Sequence, residues 1–190
     1  MEAAFPSTLR RHVPAVLAHL AYTAYPPSGR IQDARRPWGD IVVDGETLLI
    51  PYRQYDLPLS PSGLDPDAQL VWLAWFTRSN DGKVRQAAVR GLFERPQTWV
   101  APFIIQLLGE YVVEISTDIA AFVDTTVVSD PAWTKVFRTF CTKNPGFLEL
   151  SRARASSYWS EYYRNEVLEQ ADFPSVRTLA TLTELALQLA

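Results

Sequence analysis

The chain has 190 residues but only one cysteine, one methionine and two histidines. A single cysteine, Cys141, excludes an internal disulfide and a cysteine-rich zinc site. His12 and His19 leave few side chains for acid–base chemistry near neutral pH. The sequence also lacks a glycine-rich phosphate loop, a nucleophile elbow and a His-Glu-x-x-His motif. These absences favour a protein without a cofactor, a metal or a standard catalytic centre.

Basic charge is also scarce, because 18 lysines and arginines face 21 acidic residues and the net charge is −3. Nucleic-acid binders usually carry a basic excess, so a nucleic-acid partner is not expected. The longest apolar run, near residues 99–115, is interrupted by Pro102, Gly109 and two glutamates. It is therefore too short for a membrane helix, which needs about 20 apolar residues. The N-terminus does not resemble a secretion signal, and we expect a soluble, cytoplasmic protein.

What the chain does have is an ordinary apolar fraction, 47%, together with 12% aromatic residues. A chain of this size and composition can bury a substantial core, so disorder is excluded. Helical periodicity then predicts a mainly α protein, and short connectors between the helices predict antiparallel packing. In Asp65-Pro66, Asp130-Pro131 and Asn144-Pro145, a capping residue precedes a proline at the first helical position. The predicted helices are Ser7–Tyr25 with a kink or a start at Pro14, Pro66–Arg78, Gly82–Phe93, Thr98–Val123, Pro131–Thr142, Pro145–Gln170 and Ser175–Ala190.

One β-hairpin is predicted near residues 41–50, where Asp44-Gly45 separates two apolar runs. Asp-Gly supplies the two positive-φ residues of a type I′ turn. Pro26-Pro27-Ser28-Gly29 marks the end of the first helix, and a proline-rich connector follows the hairpin. We therefore expect an N-terminal segment, residues 1–64, packed on a helical domain, residues 65–190, in one compact unit.

The segment Asp81–Leu92 resembles the second helix of a HEAT repeat. The shared pattern is Asp, two residues, Val-Arg, two residues, Ala, three residues and Leu. A second Val-Arg-x-x-Ala stands at Val176–Ala180, about two repeat periods later. The resemblance implies a curved antiparallel stack of helices that binds mainly proteins. The alternative from the same pattern is one helical hairpin in an irregular α domain.

The central predicted helix, Thr98–Val123, is apolar almost all round, which is typical of a helix buried in the middle of a domain. Four polar side chains interrupt it at four-residue spacing and should share one face. They are Gln106, Glu110, Glu114 and Asp118, which we name the acidic stripe. Three interpretations are open: a solvent edge, a buried ion-pair network, or an acidic pocket for a cationic partner or metal. The candidate ion-pair partners are Arg85, Arg90, Arg152 and Arg154.

A metal site is not expected from this stripe. His12 and His19 could in principle join Glu110 and Glu114 as ligands, but the spacing of the glutamates is not the Glu-x-x-His of di-iron bundles. Cys141 shares a helix face with three aromatic residues, Trp133, Phe137 and Phe140, and is expected to be a small buried apolar thiol.

The segment Arg152–Arg164 combines three arginines with four aromatic side chains. Tyr158 and Tyr162 form one pair at four-residue spacing, and Trp159 and Tyr163 form another. One pair should face the core and the other should be partly exposed. Tyr, Trp and Arg are common anchors of protein interfaces, whereas neighbouring glutamates disfavour nucleic acid.

The leading hypothesis is a non-enzymatic, HEAT-like binding or scaffold protein whose partner is another protein. The alternative is an enzyme or small-molecule binder with its pocket around the acidic stripe. Neither the partner nor the oligomeric state follows from the sequence, and a homo-oligomer is left open. The candidate binding residues are Glu110, Glu114, Arg85, Arg152, Arg154, Tyr158, Trp159, Tyr162 and Tyr163.

Overall fold

A computed structural model describes residues 1–21, 31–32 and 40–188 of the chain. The predicted mainly α fold with a small β-hairpin is confirmed. Contacts divide the chain into two compact units, Met1–Glu94 and Arg95–Ala190. This division lies later in the chain than the boundary at residue 64 expected from composition, so the HEAT-like segment groups with the hairpin.

The N-terminal unit begins with 3₁₀ helices and contains three α-helices and six short strands in its described part. The 3₁₀ helices are Glu2–Ala4 and Ser7–His12. The α-helices are α1 (Val13–Leu17), α2 (Pro66–Phe76) and α3 (Gly82–Leu92). The strands are β1 (Leu20–Ala21), β2 (Ile31–Gln32), β3 (Ile41–Val43), β4 (Glu46–Leu48), β5 (Arg53–Gln54) and β6 (Leu57–Pro58).

The prediction of one helix over Ser7–Tyr25 is wrong. Pro14 lies in the first turn of α1. Of the two predictions for this residue, a kink or a helix start, the helix start is therefore confirmed. The preceding turn is 3₁₀, since Pro14 has no N–H to continue an α-helical ladder from upstream. After α1 the chain enters β1, and the predicted stop at Pro26-Pro27-Ser28-Gly29 lies outside the described residues.

The β3–β4 hairpin has the turn that Asp-Gly predicts. Asp44 and Gly45 have φ values of 50° and 84°, the two left-handed positions of a type I′ turn. Ile41, Val43 and Leu48 are buried, so one face of the hairpin packs into the unit. The sequence did not indicate the other two strand pairs, β1 with β6 and β2 with β5, because strands of two residues show no alternation.

Aspartate caps begin α2 and α3, and the cap of α2 is the predicted one. The Asp65 carboxylate accepts hydrogen bonds from the backbone N–H groups of Asp67 and Ala68, both at 3.0 Å. The Asp81 carboxylate accepts from the N–H of Lys83 at 2.8 Å and of Val84 at 3.4 Å. Each cap satisfies helix donors that have no partner inside the helix.

Glu46 on β4 holds the N-terminal turn to the hairpin. Its carboxylate accepts from the Ser7 N–H at 3.0 and 2.9 Å and from the Ser7 hydroxyl at 2.8 Å. These bonds to Ser7 lower the pKa of Glu46, because they favour the charged carboxylate. Because folding lowers this pKa, the charged carboxylate stabilises the folded state. This stabilisation is fully present above the pKa of the unfolded chain and is lost as the pH falls through the pKa of the folded protein.

Glu46→Gln should therefore reduce the acid dependence of the melting temperature. Scanning calorimetry between about pH 7 and about pH 3 should show the wild type melting higher at neutral pH. The two curves should converge in acid, where Glu46 is protonated. The exposed Glu94 serves as the control, and Glu94→Gln should leave the acid dependence unchanged. Parallel curves for wild type and Glu46→Gln would contradict the prediction.

The C-terminal unit contains five α-helices in its described part. They are α4 (Ala101–Leu108), α5 (Val113–Phe122), α6 (Pro131–Lys143), α7 (Pro145–Tyr158) and α8 (Pro174–Leu187). Helix α8 packs against the other four. The core contains an aromatic cluster of Phe122, Trp133 and Phe137, with ring centroids 5.0 to 6.4 Å apart.

The prediction of one continuous helix over Thr98–Val123 is wrong. A 3₁₀ turn, Thr98–Val100, precedes α4, and the backbone leaves the helical path between Gly109 and Val112. Gly109 has φ −90° and ψ 27°, and Val112 has φ −85° and ψ 99°. Glycine and β-branched residues have low helix propensity, so a helix interrupts here at little cost.

Helix α6 follows the prediction, and Asp130 accepts from the N–H of Ala132 at 2.8 Å. Asn144, by contrast, does not cap α7 with its side chain. Its Nδ2 instead donates to the carbonyl of Phe140 at 2.9 Å, because the Asn144 side chain is buried at the end of α6.

Helix α7 is shorter than the predicted Pro145–Gln170. It ends at Tyr158 and widens into a π-helical turn, Trp159–Tyr163. A 3₁₀ turn at Gln170–Asp172 leads into α8, whose bounds are close to the prediction. In the part of the chain that the structure describes, none of the helices combines the length and the apolar character of a membrane span.

Candidate functional site

The break between α4 and α5 is held by the end of α7. Arg154 Nε donates to the Gly109 carbonyl at 3.2 Å, and the Tyr163 hydroxyl donates to the Tyr111 carbonyl at 2.7 Å. The structure therefore brings together two features that the sequence presented separately, the acidic stripe and the arginine–aromatic segment.

Three tyrosines form a surface at this junction, which we name the tyrosine face: Tyr111, Tyr158 and Tyr162. The ring centroids of Tyr111 and Tyr158 are 6.1 Å apart, and those of Tyr158 and Tyr162 are 6.2 Å apart. The last two rings stack with an interplanar angle of 26°. Tyr111 is 50% exposed and Tyr162 is 61% exposed, so large aromatic surfaces meet solvent.

Tyr163 and Trp159 lie behind this surface and are half-buried. Tyr163 stacks on Phe173 at 5.2 Å, and Phe173 is fully buried. Trp159 Nε1 donates to the Val167 carbonyl at 2.8 Å. These contacts fix the π-helical turn, and they leave Tyr162 as the most exposed aromatic side chain of the segment.

The four members of the acidic stripe do not share one face, so that prediction is wrong. Gln106 and Glu110 are buried, whereas Glu114 is exposed and Asp118 is half-buried. The reason is the break after α4. Glu110 and Glu114 do not belong to one continuous helix, so their four-residue spacing does not place them on the same side. The stripe therefore lies partly in the core and partly at the surface.

Two carboxylates lie near Tyr163, the neighbour of Tyr162 in the chain. Burial raises the pKa of Tyr163, and the negative charges of Glu114 and Glu166 raise it further. Both glutamates are exposed.

Arg85 and Arg152 make contacts inside their own units. Arg85 is fully buried in the N-terminal unit, and its Nη1 donates to the carbonyls of Ser79 at 2.9 Å and Asn80 at 3.1 Å, which closes the α2–α3 turn. Arg152 Nη2 donates to the Thr183 hydroxyl at 2.8 Å and links α7 to α8. Their participation in binding stays a prediction.

The two histidines have separate surroundings. His12 Nδ1 lies 3.4 Å from an Asp65 carboxylate oxygen, whereas His19 Nδ1 lies 2.9 Å from the Ala15 carbonyl. In the described part of the chain His12, Asp65 and Asp67 have possible ligand atoms within 4.8 Å of one another. Arg11 Nε donates to His12 Nε2 at 3.1 Å, and its positive charge opposes a cation there.

The sequence did not indicate Tyr111 as a candidate site residue. In a continuous helix Tyr111 would be one more aromatic side chain of a buried element, and only the break at Gly109 exposes it. Gly109-Glu110 inside an apolar run was the available signal.

Comparison of this chain with protein-family models, with curated proteins and with solved structures found no match. The HEAT resemblance consequently stays a prediction. In the structure Ala88 and Leu92 of its first copy are buried, and Arg177 of its second copy pairs with Asp124 at 2.9 Å.

Proposed function

We propose that this chain is a non-enzymatic, HEAT-like binding protein that recognises a basic segment of another protein through the tyrosine face. The observation that carries the proposal is the exposure of Tyr111 and Tyr162 beside the half-buried Tyr158. Grouped exposed aromatic rings are uncommon on a surface that only meets water, and tyrosine is enriched among the residues that dominate interface energies.

The rigidity of this face supports binding. The Tyr163 hydroxyl fixes the backbone at Tyr111, and the Tyr158 and Tyr162 rings stack on each other. A tyrosine has few rotatable bonds, so a preformed cluster loses little conformational entropy when a partner covers it.

The two carboxylates near Tyr163 favour a basic partner. Glu114 and Glu166 act electrostatically on Tyr163, and both carboxylates are exposed. A lysine or arginine of the partner could pack its cation over a tyrosine ring while a carboxylate lies nearby. Part of the affinity should therefore weaken as the salt concentration rises.

The partner can be found and the proposal tested by photo-cross-linking in cells that naturally express the chain. A photoreactive phenylalanine analogue replaces Tyr162 in one sample and the exposed Lys135 on α6 in the control. The proposal expects one protein to cross-link at position 162 and not at position 135. Equal yields at both positions, or no product at 162, would contradict it.

The affinity of the captured partner, measured by calorimetry, then tests the surface itself. Tyr162→Ala and Tyr111→Ala should each weaken binding by about tenfold or more, the effect of an interface anchor. Glu114→Gln should weaken binding less and should reduce its salt dependence. Because Tyr162 is exposed, its replacement should leave the fold intact. Unchanged affinity in both tyrosine variants would overturn the proposal.

A further inference from the structure

A cavity of about 290 Å³ lies between α6 and α8 in the C-terminal unit and is partly open to solvent. Its lining combines two apolar side chains with five polar or charged ones. The lining residues are Val128, Thr134, Arg138, Thr181, Glu184, Leu185 and Gln188. None of them belongs to the tyrosine face or to the candidate site of the sequence analysis.

Two opposite charges line this cavity: Arg138 is half-buried, and Glu184 is exposed at its mouth. Arg138 Nε is buried and has no hydrogen-bond partner among the described residues. Within the same part of the chain, neither the Arg138 guanidinium nor the Glu184 carboxylate takes part in an ion pair. A buried Nε–H without a partner favours a ligand carboxylate, because that hydrogen bond would offset the desolvation of this atom.

The two threonine hydroxyls of the cavity can only accept hydrogen bonds from a ligand. Thr134 Oγ1 donates its proton to the Val127 carbonyl at 2.6 Å, and Thr181 Oγ1 donates to the Arg177 carbonyl at 3.3 Å. With their protons used in these bonds, both oxygens have only lone pairs to offer a ligand. Together with the carboxylate of Glu184 they favour a ligand that carries an ammonium group.

The volume limits the size of the ligand. A water molecule occupies about 30 Å³ in the liquid, so the cavity has room for about ten non-hydrogen atoms. The buried Leu185 and the half-exposed Val128 supply its apolar lining. From these observations we propose that the cavity binds a free α-amino acid with an apolar side chain, its carboxylate on Arg138 and its ammonium on Glu184.

The probe is L-leucine, compared with two derivatives that each lack one charge. N-acetyl-leucine has no cation, and leucinamide has no carboxylate. Isothermal titration calorimetry on the full chain should show saturable binding of leucine and at least about tenfold weaker binding of either derivative. Equal affinity for leucine and a derivative would overturn the proposal, as would no saturation by leucine, valine or methionine up to about 10 mM.

Variants of the chain locate the site. Arg138→Leu should abolish leucine binding, and Glu184→Gln should weaken it by about tenfold. The matched control is Lys135→Leu, since Lys135 is an exposed cation on the same helix. Arg138→Lys keeps the charge without the planar fork, and it should bind more weakly than wild type but more tightly than Arg138→Leu. Wild-type affinity in Arg138→Leu would assign the binding to another place and overturn the proposal.

Discussion

Replacing Phe137 by alanine should lower the free energy of unfolding of the C-terminal unit by about 3–5 kcal/mol. Phe137 is fully buried in the middle of α6. Its ring contacts Phe122 and Trp133, with centroids 6.4 and 6.0 Å away. Removing the ring takes apolar surface out of the core and leaves a cavity that packed helices fill only in part.

Urea denaturation followed by far-ultraviolet circular dichroism measures this loss. Phe137→Leu keeps most of the volume and should cost clearly less, which also provides a folded variant if Phe137→Ala does not fold. The exposed Tyr162 gives the aromatic control, and Tyr162→Ala should change the stability by no more than about 0.5 kcal/mol. Similar losses for Phe137→Ala and Tyr162→Ala would show that α6 is not packed as described.

Cys141 should react with thiol reagents at least about a thousandfold more slowly in the native protein than in the unfolded chain at pH 8. Burial raises the pKa of the Cys141 thiol from 9.0 to about 12. The reactive thiolate is therefore rarer in the native state, and the reagent also cannot reach a side chain that is 1% exposed. The expected buried, apolar thiol is confirmed by this environment.

The measurement is the rate of labelling by a chromogenic disulfide reagent, with and without denaturant. Ser157→Cys in a Cys141→Ala background places a thiol at an exposed position of α7 and should react at the rate of a free thiol. Native labelling of Cys141 requires opening of the C-terminal unit, so Phe137→Ala should accelerate it by about a hundredfold or more. Rapid labelling of the wild type would contradict the burial of this face of α6.

The elements that the sequence predicted correctly depend on signals within a few residues. Asp65, Asp81 and Asp130 each bond to N–H groups two or three positions ahead. Asp44-Gly45 determines its turn through its own φ angles. Such features need no distant partner, because the interacting groups are neighbours in the chain.

Asn144 shows where a local signal fails. The sequence places it as a helix cap, but its amide donates backwards to Phe140 at the buried end of α6. An asparagine can donate or accept, so the tertiary environment decides which neighbour its side chain bonds. The same limit applies to the paired strands β1 and β6, which lie far apart in the sequence.

By itself the sequence determined the mainly α class and the hairpin, and it singled out most of the candidate site residues. Only the tertiary structure decided how those residues are arranged, because the bonds that arrange them are long-range. Arg154 reaches Gly109 across 45 positions, and Tyr163 reaches Tyr111 across 52. These bonds fix a break where the residue pattern indicated a continuous helix. That break buries Glu110, exposes Tyr111 and creates the tyrosine face.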